Sequence, residues 1–239
     1  MNTSTKIIAS TLSIGILLSS CSGLDCIEAS GNQISQDRNV GSFTRVETSG
    51  SMKIILKQGP VNSVKITADD NILKEIETNV SGNKLYIDLE KNFCNSGPIT
   101  VYITSKDYEG VSASGAVEVL SDGKLNLNDF ELDLSGSSKV DLDLNAANVK
   151  TSSSGASEIF LKGQAGSHEL DLSGSTSVEA LDFVVGRYRI ESSGASNSRI
   201  NVLNELNLSS SGSSDVEYRG NPSNIKNDES GASSLKKID

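Results

Sequence analysis

Five aspartates could do acid–base chemistry if the fold brought them together: Asp133, Asp141, Asp143, Asp171 and Asp182. Glycoside cleavage uses two carboxyl groups across one bond, and proton abstraction uses a carboxylate held near a cation. All five, however, fall on alternate positions of extended segments such as LDLSGSSKVDLDL, Leu132–Leu144, where charge belongs on the water side. They read as a solvated face rather than a catalytic or calcium-binding pair. Arg187 and Arg189 flank Tyr188 and could grip a carboxylate, but two arginines on one strand read as surface. His168 is the single histidine, which argues against a Ser-His-Asp triad and an imidazole-rich zinc site. Its place beside a turn signal predicts an exposed loop residue. The chain therefore reads as non-enzymatic, with no catalytic residue, metal or cofactor.

The three cysteines carry different messages. The first twenty residues place Lys6 before the apolar run IIASTLSIGILL and the small residues that follow, the order of a secretory signal. That run is too short for a stable transmembrane span. Leu18-Ser19-Ser20-Cys21 resembles a bacterial lipobox. The resemblance implies cleavage before Cys21 and its lipidation, and several acyl chains anchor firmly where one does not. Ser22, rather than Asp, follows it, which favours the outer membrane by the enteric sorting rule. Cys26 and Cys94 remain; in an oxidising compartment they are either a disulfide, tying the tether to the first folded segment, or two free thiols.

Composition narrows the partners. Net charge is −10, which disfavours nucleic acid and docking on anionic lipid. With no Trp and five Tyr, the aromatic platforms that commonly bind glycans are scarce. Phe160 points outward by parity and Tyr218 inward.

The elements that would position these residues follow from a repeat. Ser-Gly recurs with Gly at 50, 115, 136, 155, 174, 194, 212 and 231, a step of 18 to 21 residues from Gly115 on. Four residues after the Gly come Ile54, Val119, Val140, Ile159, Val178, Val216 and Leu235, with Ser198 alone breaking the column. Four before it come Val46, Val111, Leu132, Leu170, Ile190 and Leu208. These offsets share one face of a strand, so each unit predicts strand, Ser-Gly corner, strand and a second turn, as at Asn145-Ala146-Ala147 and Gly163–Gly166. One such unit cannot bury its inner face alone, but a stack of them can. The prediction is all-β: a right-handed parallel β-helix flattened to two walls, with one or two units per coil. Disorder would leave no columns, and an antiparallel sandwich has no reason to hold a constant unit length.

Domain limits follow. Residues 1–20 are the signal, 21–37 a lipid-anchored tether and 38–239 a single β-helix domain, irregular to about 110 and regular over 111–239. In the irregular part, Asp69-Asp70-Asn71 predicts the cap of a short helical turn through Ile76, and Ser81-Gly82-Asn83 predicts a hairpin. The polar final unit, with Lys236 and Lys237, predicts an end that discourages further stacking.

Several stretches together are similar to one family: Gly31-Asn32, Phe43–Val46, Ser49–Met52, Ile55–Gly59, Ala68–Leu73 and the later Ser-Gly series. The chain resembles, from about Arg38 to the end, the autotransporter adhesin head (GIN) domain of Bacteroidota lipoproteins. The resemblance implies a β-helix of pectin-lyase-like shape without its catalytic residues, and a role in adhesion. The resulting expectation is a lipid-anchored cell-envelope protein with a β-helix binding or structural surface. Its partners would be the membrane, through the N-terminal lipid, and an envelope, host or glycan ligand. The alternatives are a carbohydrate-active β-helix enzyme, or an envelope assembly module that stacks through open sheet edges.

Overall fold

Strict alternation of aliphatic and polar residues makes this chain strand along most of its length. The structure, a computed structural model, describes residues 26–89 and 91–239. Cys21 and the signal segment lie outside them. In chain order the strands are β1 (Ile27–Glu28), β2 (Gln33–Arg38), β3 (Arg45–Gln58), β4 (Ser63–Asp69) and β5 (Ile76–Ser81). Then follow β6 (Lys84–Leu89), β7 (Phe93–Cys94), β8 (Thr100–Ser105), β9 (Gly110–Gly136) and β10 (Lys139–Ser153). The last are β11 (Ala156–Leu172), β12 (Ser175–Ser192), β13 (Ala195–Arg219), β14 (Asn224–Gly231) and β15 (Ser234–Lys237).

The chain is a β-solenoid. From β3 onward, each coil pairs in parallel with the next, in the order β3, β9, β10, β11, β12, β13, β14. Val140 lies beside Ile159 and Ile159 beside Val178, so one Ser-Gly unit makes one coil. Eight corner glycines at about 4.8 Å per step give an axis of about 34 Å. The column Ile54, Val119, Val140, Ile159, Val178 is buried end to end, and Ser198 keeps its place in it, also buried. Burial of these columns is the main driving force, because no single coil shelters its own inner face. The second turns at Asn145–Ala147 and Gly163–Gly166 bend without breaking the ladder: Asn145 pairs with Gln164 and Ala146 with Ala165.

The N-terminal part caps the stack. β6 and β8 pair in parallel with β3; β4 runs antiparallel to β8, and β2 antiparallel to β4. The expected hairpin is present: β5 and β6 pair antiparallel, with Ser81 opposite Lys84 and Gly82 at φ +62° in the turn. Tyr108 is buried beneath the cap, its hydroxyl 2.8 Å from the Ile103 carbonyl oxygen and 3.0 Å from that of Lys57.

Two expectations for this region are corrected. The sequence predicts a tether over 21–37, yet Gln33–Arg38 is an edge strand. It lacks inward apolar alternation and is held by its backbone ladder, a 2.8 Å Ser35–Thr67 hydroxyl pair and a 2.6 Å bond from Arg38 to the Leu73 carbonyl. The expected turn forms, with the Leu73 N–H bonded to the Asp69 carbonyl at 3.0 Å; its cap is what differs. The Asp69 carboxylate accepts from the Gly97 N–H at 3.1 Å instead of capping, and β5 begins before a second turn could close.

Candidate binding groove

The LDLSG pattern places its residues in two environments. Residues two and four before each corner glycine point inward, as Leu132 and Leu134 do; those one, three and five before it face out. One before the corner, the stack carries only serine: Ser49, Ser114, Ser135, Ser154, Ser173, Ser193, Ser211 and Ser230. Three before it, acids and serines share a column: Glu47, Ser112, Asp133, Ser152, Asp171, Glu191, Ser209 and Asp228. These two columns line a groove of about 950 Å³ that runs along the axis.

A third column at the groove's border alternates in charge, through Glu131, Lys150, Glu169 and Arg189. Arg45 pairs with Glu131 at 2.5 Å, Lys150 lies 3.6 Å from both Glu169 and Asp171, and Arg189 pairs with Glu191. The carboxylates beside Lys150 hold its pKa above the ordinary lysine value, Glu169 most of all. Glu47 pairs with Lys84 at 2.7 Å. Asp133 differs: its polar contact is a long 3.4 Å bond from Ser112 Oγ. Burial, then the neighbouring Glu131 charge, pushes its carboxyl pKa upward.

The structure separates the five aspartates. Asp133 and Asp171 share the groove, two coils apart, with Ser152 between them. Asp141 pairs with Lys162 at 3.3 Å, and Asp143 lies 3.6 Å from Lys124; both are outside the groove. Asp182 is exposed beside Lys162 at a register shift. Arg187 and Arg189 face out and Tyr188 is buried between them. Phe160 is outward and part-exposed, with Lys139 Nζ 5.7 Å from its ring centre, and Tyr218 packs inward. The closest acid pair in the groove, Asp171 and Glu191 on adjacent coils, is tied to cations on both sides.

His168 is the clear correction: it is 1% exposed, not a loop residue. It occupies an inward column between Val149 and Tyr188. Its Nε2 shares a 3.0 Å hydrogen bond with Thr151 Oγ1, and Phe183 and Tyr188 pack on the ring. Burial lowers its pKa to about 3, so it stays neutral and is out of reach of the groove. The turn signal misled because the second bend of each coil is itself part of the ladder.

Cys26 directly precedes β1 and Cys94 ends β7, paired there with Glu28; the two cysteine Cα atoms are 5.6 Å apart, inside the range a disulfide spans. Glu47, Glu191, Asp228 and the groove itself were missed from sequence. The invariant Ser before each Gly was the available signal, since a repeated outward residue must form a stripe.

The family model described as "Putative auto-transporter adhesin, head GIN domain" matches residues 42–222. The chain belongs to that family. Among solved structures, a "putative adhesin" of Bacteroides fragilis is similar to this head-domain protein with a TM-score of 0.84 at 22% identity, over 89% of this chain and 100% of that one. A second, from Parabacteroides merdae, has a TM-score of 0.69 at 16% identity, over 90% and 100%. A "putative lipid binding protein" of Parabacteroides distasonis has a TM-score of 0.61 at 15% identity, over 89% and 99%. At such identities the likeness shows the fold of the head domain. No curated protein matches the chain.

Proposed function

We propose that this head-domain protein is a non-enzymatic adhesin of the cell envelope, lipid-anchored through Cys21 to the outer membrane, whose groove binds an extended hydroxyl-rich polymer, a glycan. The observation that carries the reading is the unbroken serine column, repeated at every coil, beside a column that mixes carboxylates with further serines. Serine hydroxyls both donate and accept, and carboxylates accept from sugar hydroxyls in charge-assisted bonds. A ligand with a regular repeat can therefore gain the same weak contacts many times over. An oxidised Cys26–Cys94 bridge would fasten the five residues after the anchor to the solenoid's first end.

A glycan-array binding measurement on the full-length chain tests this, with Ser154→Arg and Ser173→Arg to block the groove. Each variant should bind its glycan at least tenfold more weakly with an unchanged circular dichroism spectrum. Glycan binding that ignores both substitutions would sink the groove, and glycan cleavage abolished by Asp171→Asn would replace the adhesin with an enzyme. Lipidation is checked by mass: Cys21→Ser should remove the acyl increment and release the protein from membranes.

A further inference from the structure

The two ends of the solenoid are finished differently. At the first end, β6, β8, β4 and β2 cover β3. At the other, among the described residues β14 pairs with β13 alone, and all eight of its residues are exposed. In the coils below, the serine before each corner donates its N–H back to the preceding coil, as Ser173 does to the Ser153 carbonyl at 2.9 Å, and past the last corner the Ala232 N–H donates back to the Gly212 carbonyl at 2.8 Å. Backbone groups turn to opposite sides at alternate residues, so Lys226, Asp228 and Ser230 direct theirs back to β13, and Ile225, Asn227 and Glu229 direct theirs to the open edge. Such an edge is a template for another strand.

Its side chains select which strand. The inward positions of β14 hold Ile225, Asn227 and Glu229, which end columns containing Leu206, Leu208 and Ser210. A further coil stacked in parallel would cover Ile225 but bury the Asn227 and Glu229 polar groups against its own inner face, which is costly. An antiparallel copy of β14 meets no such conflict. About a dyad at Asn227, Lys226 faces Asp228 of the second copy, Asn224 faces Ser230, and Asn227 faces itself. Opposite charges then stand directly across the strands, the favourable arrangement. The residues whose backbone groups point outward are also the ones this register hydrogen-bonds to each other. Lys236 and Lys237 on the last stretch are held back by Glu217 and Asn221.

We infer that β14 is a homotypic docking edge, through which two copies join tip to tip in one closed, two-fold antiparallel pair. An isologous contact of this kind stops at two, whereas parallel stacking would run on into a filament. Resting on the proposed envelope anchoring, the pair joins copies on two facing membranes, because the edge lies at the opposite end of the solenoid from β1.

The test is site-directed cross-linking of the purified full-length chain in detergent. Asn227→Cys places the new thiol on the dyad, where facing Cα atoms of a hydrogen-bonded pair are about 5.5 Å apart, within disulfide reach. Mild oxidation should convert most of Asn227→Cys to a covalent dimer and leave Lys226→Cys monomeric. In sedimentation, Asp228→Lys should weaken the wild-type dimer at least tenfold, and adding Lys226→Asp should restore it. The inference is overturned if Asn227→Cys remains monomeric with a native spectrum, if Asp228→Lys leaves self-association unchanged, if filaments form, or if cross-links reach only some other protein. Glycan binding by the groove is measured separately, so either result can fail while the other stands.

Discussion

Gly136 lies over Gly115 so closely that a Cβ on Gly136 would stand 2.6 Å from the Gly115 carbonyl oxygen. The same carbonyl accepts the Ser137 N–H at 2.8 Å, so it cannot withdraw without losing the corner bond. Gly136 also has φ +90°, a conformation that side chains disfavour. Gly136→Ala should therefore lower unfolding free energy by about 2 kcal/mol or more. Gly123 has a similar φ of +87° but open space around it, so Gly123→Ala should cost less. Urea denaturation of both variants measures the difference, and equal losses would show that the corner stack is not what requires glycine.

The buried His168 gives the fold an acid-sensitive point. Its pKa is about 3 when folded, below the ordinary 6.5. Between those values the unfolded chain binds a proton that the folded chain refuses. Stability from this site is thus complete above about pH 6.5 and declines as pH falls, by up to about 1.4 kcal/mol per pH unit. His168→Leu should remove this slope. Its stability relative to wild type should rise steadily from pH 7 to pH 4, and a constant difference would mean that the imidazole is solvated.

Asp133 works in the opposite sense. Its folded pKa is raised, so the folded state holds a proton longer than the unfolded chain does. The ionised group opposes folding above its raised pKa, and that penalty fades as pH drops through it. Asp133→Asn should be slightly more stable than wild type at pH 7, with the gain vanishing near pH 3. Thermal melts across that range check the sign.

A Cys26–Cys94 bridge would close a separation of 68 residues. A bridge over a loop of this size typically contributes about 2–4 kcal/mol. Reduction, or Cys94→Ser, should lower unfolding free energy in that range. It should also speed hydrogen exchange at Ile27 and Ala29, whose N–H groups donate to the carbonyls of Asn92 and Cys94. Unchanged exchange there would show that β1 stays docked without the bond.

Much of this architecture was legible in the sequence because burial is written locally. Val140, Ile159 and Val178 could be aligned by counting from a glycine, and parallel stacking follows once one face repeats. β2 was not legible: a strand held by its backbone and by Ser35 leaves no apolar alternation to read. His168 was not legible either, since a polar ring enters a core only if Thr151 and the rings of Phe183 and Tyr188 are there to receive it.

The sequence by itself determined the period, the inward columns and the serine before every corner, since side-chain alternation along a strand is a property of the chain alone. The tertiary structure decided which outward residues meet. The offset between coils is 20 residues at Val178–Ser198, 17 at Val184–Asn201 and 18 at Arg187–Glu205, because bulges absorb or add residues between corners. Whether Asp171 faces Glu191, or Lys226 stands at an open edge, depends on that accumulated register and on where the stack ends.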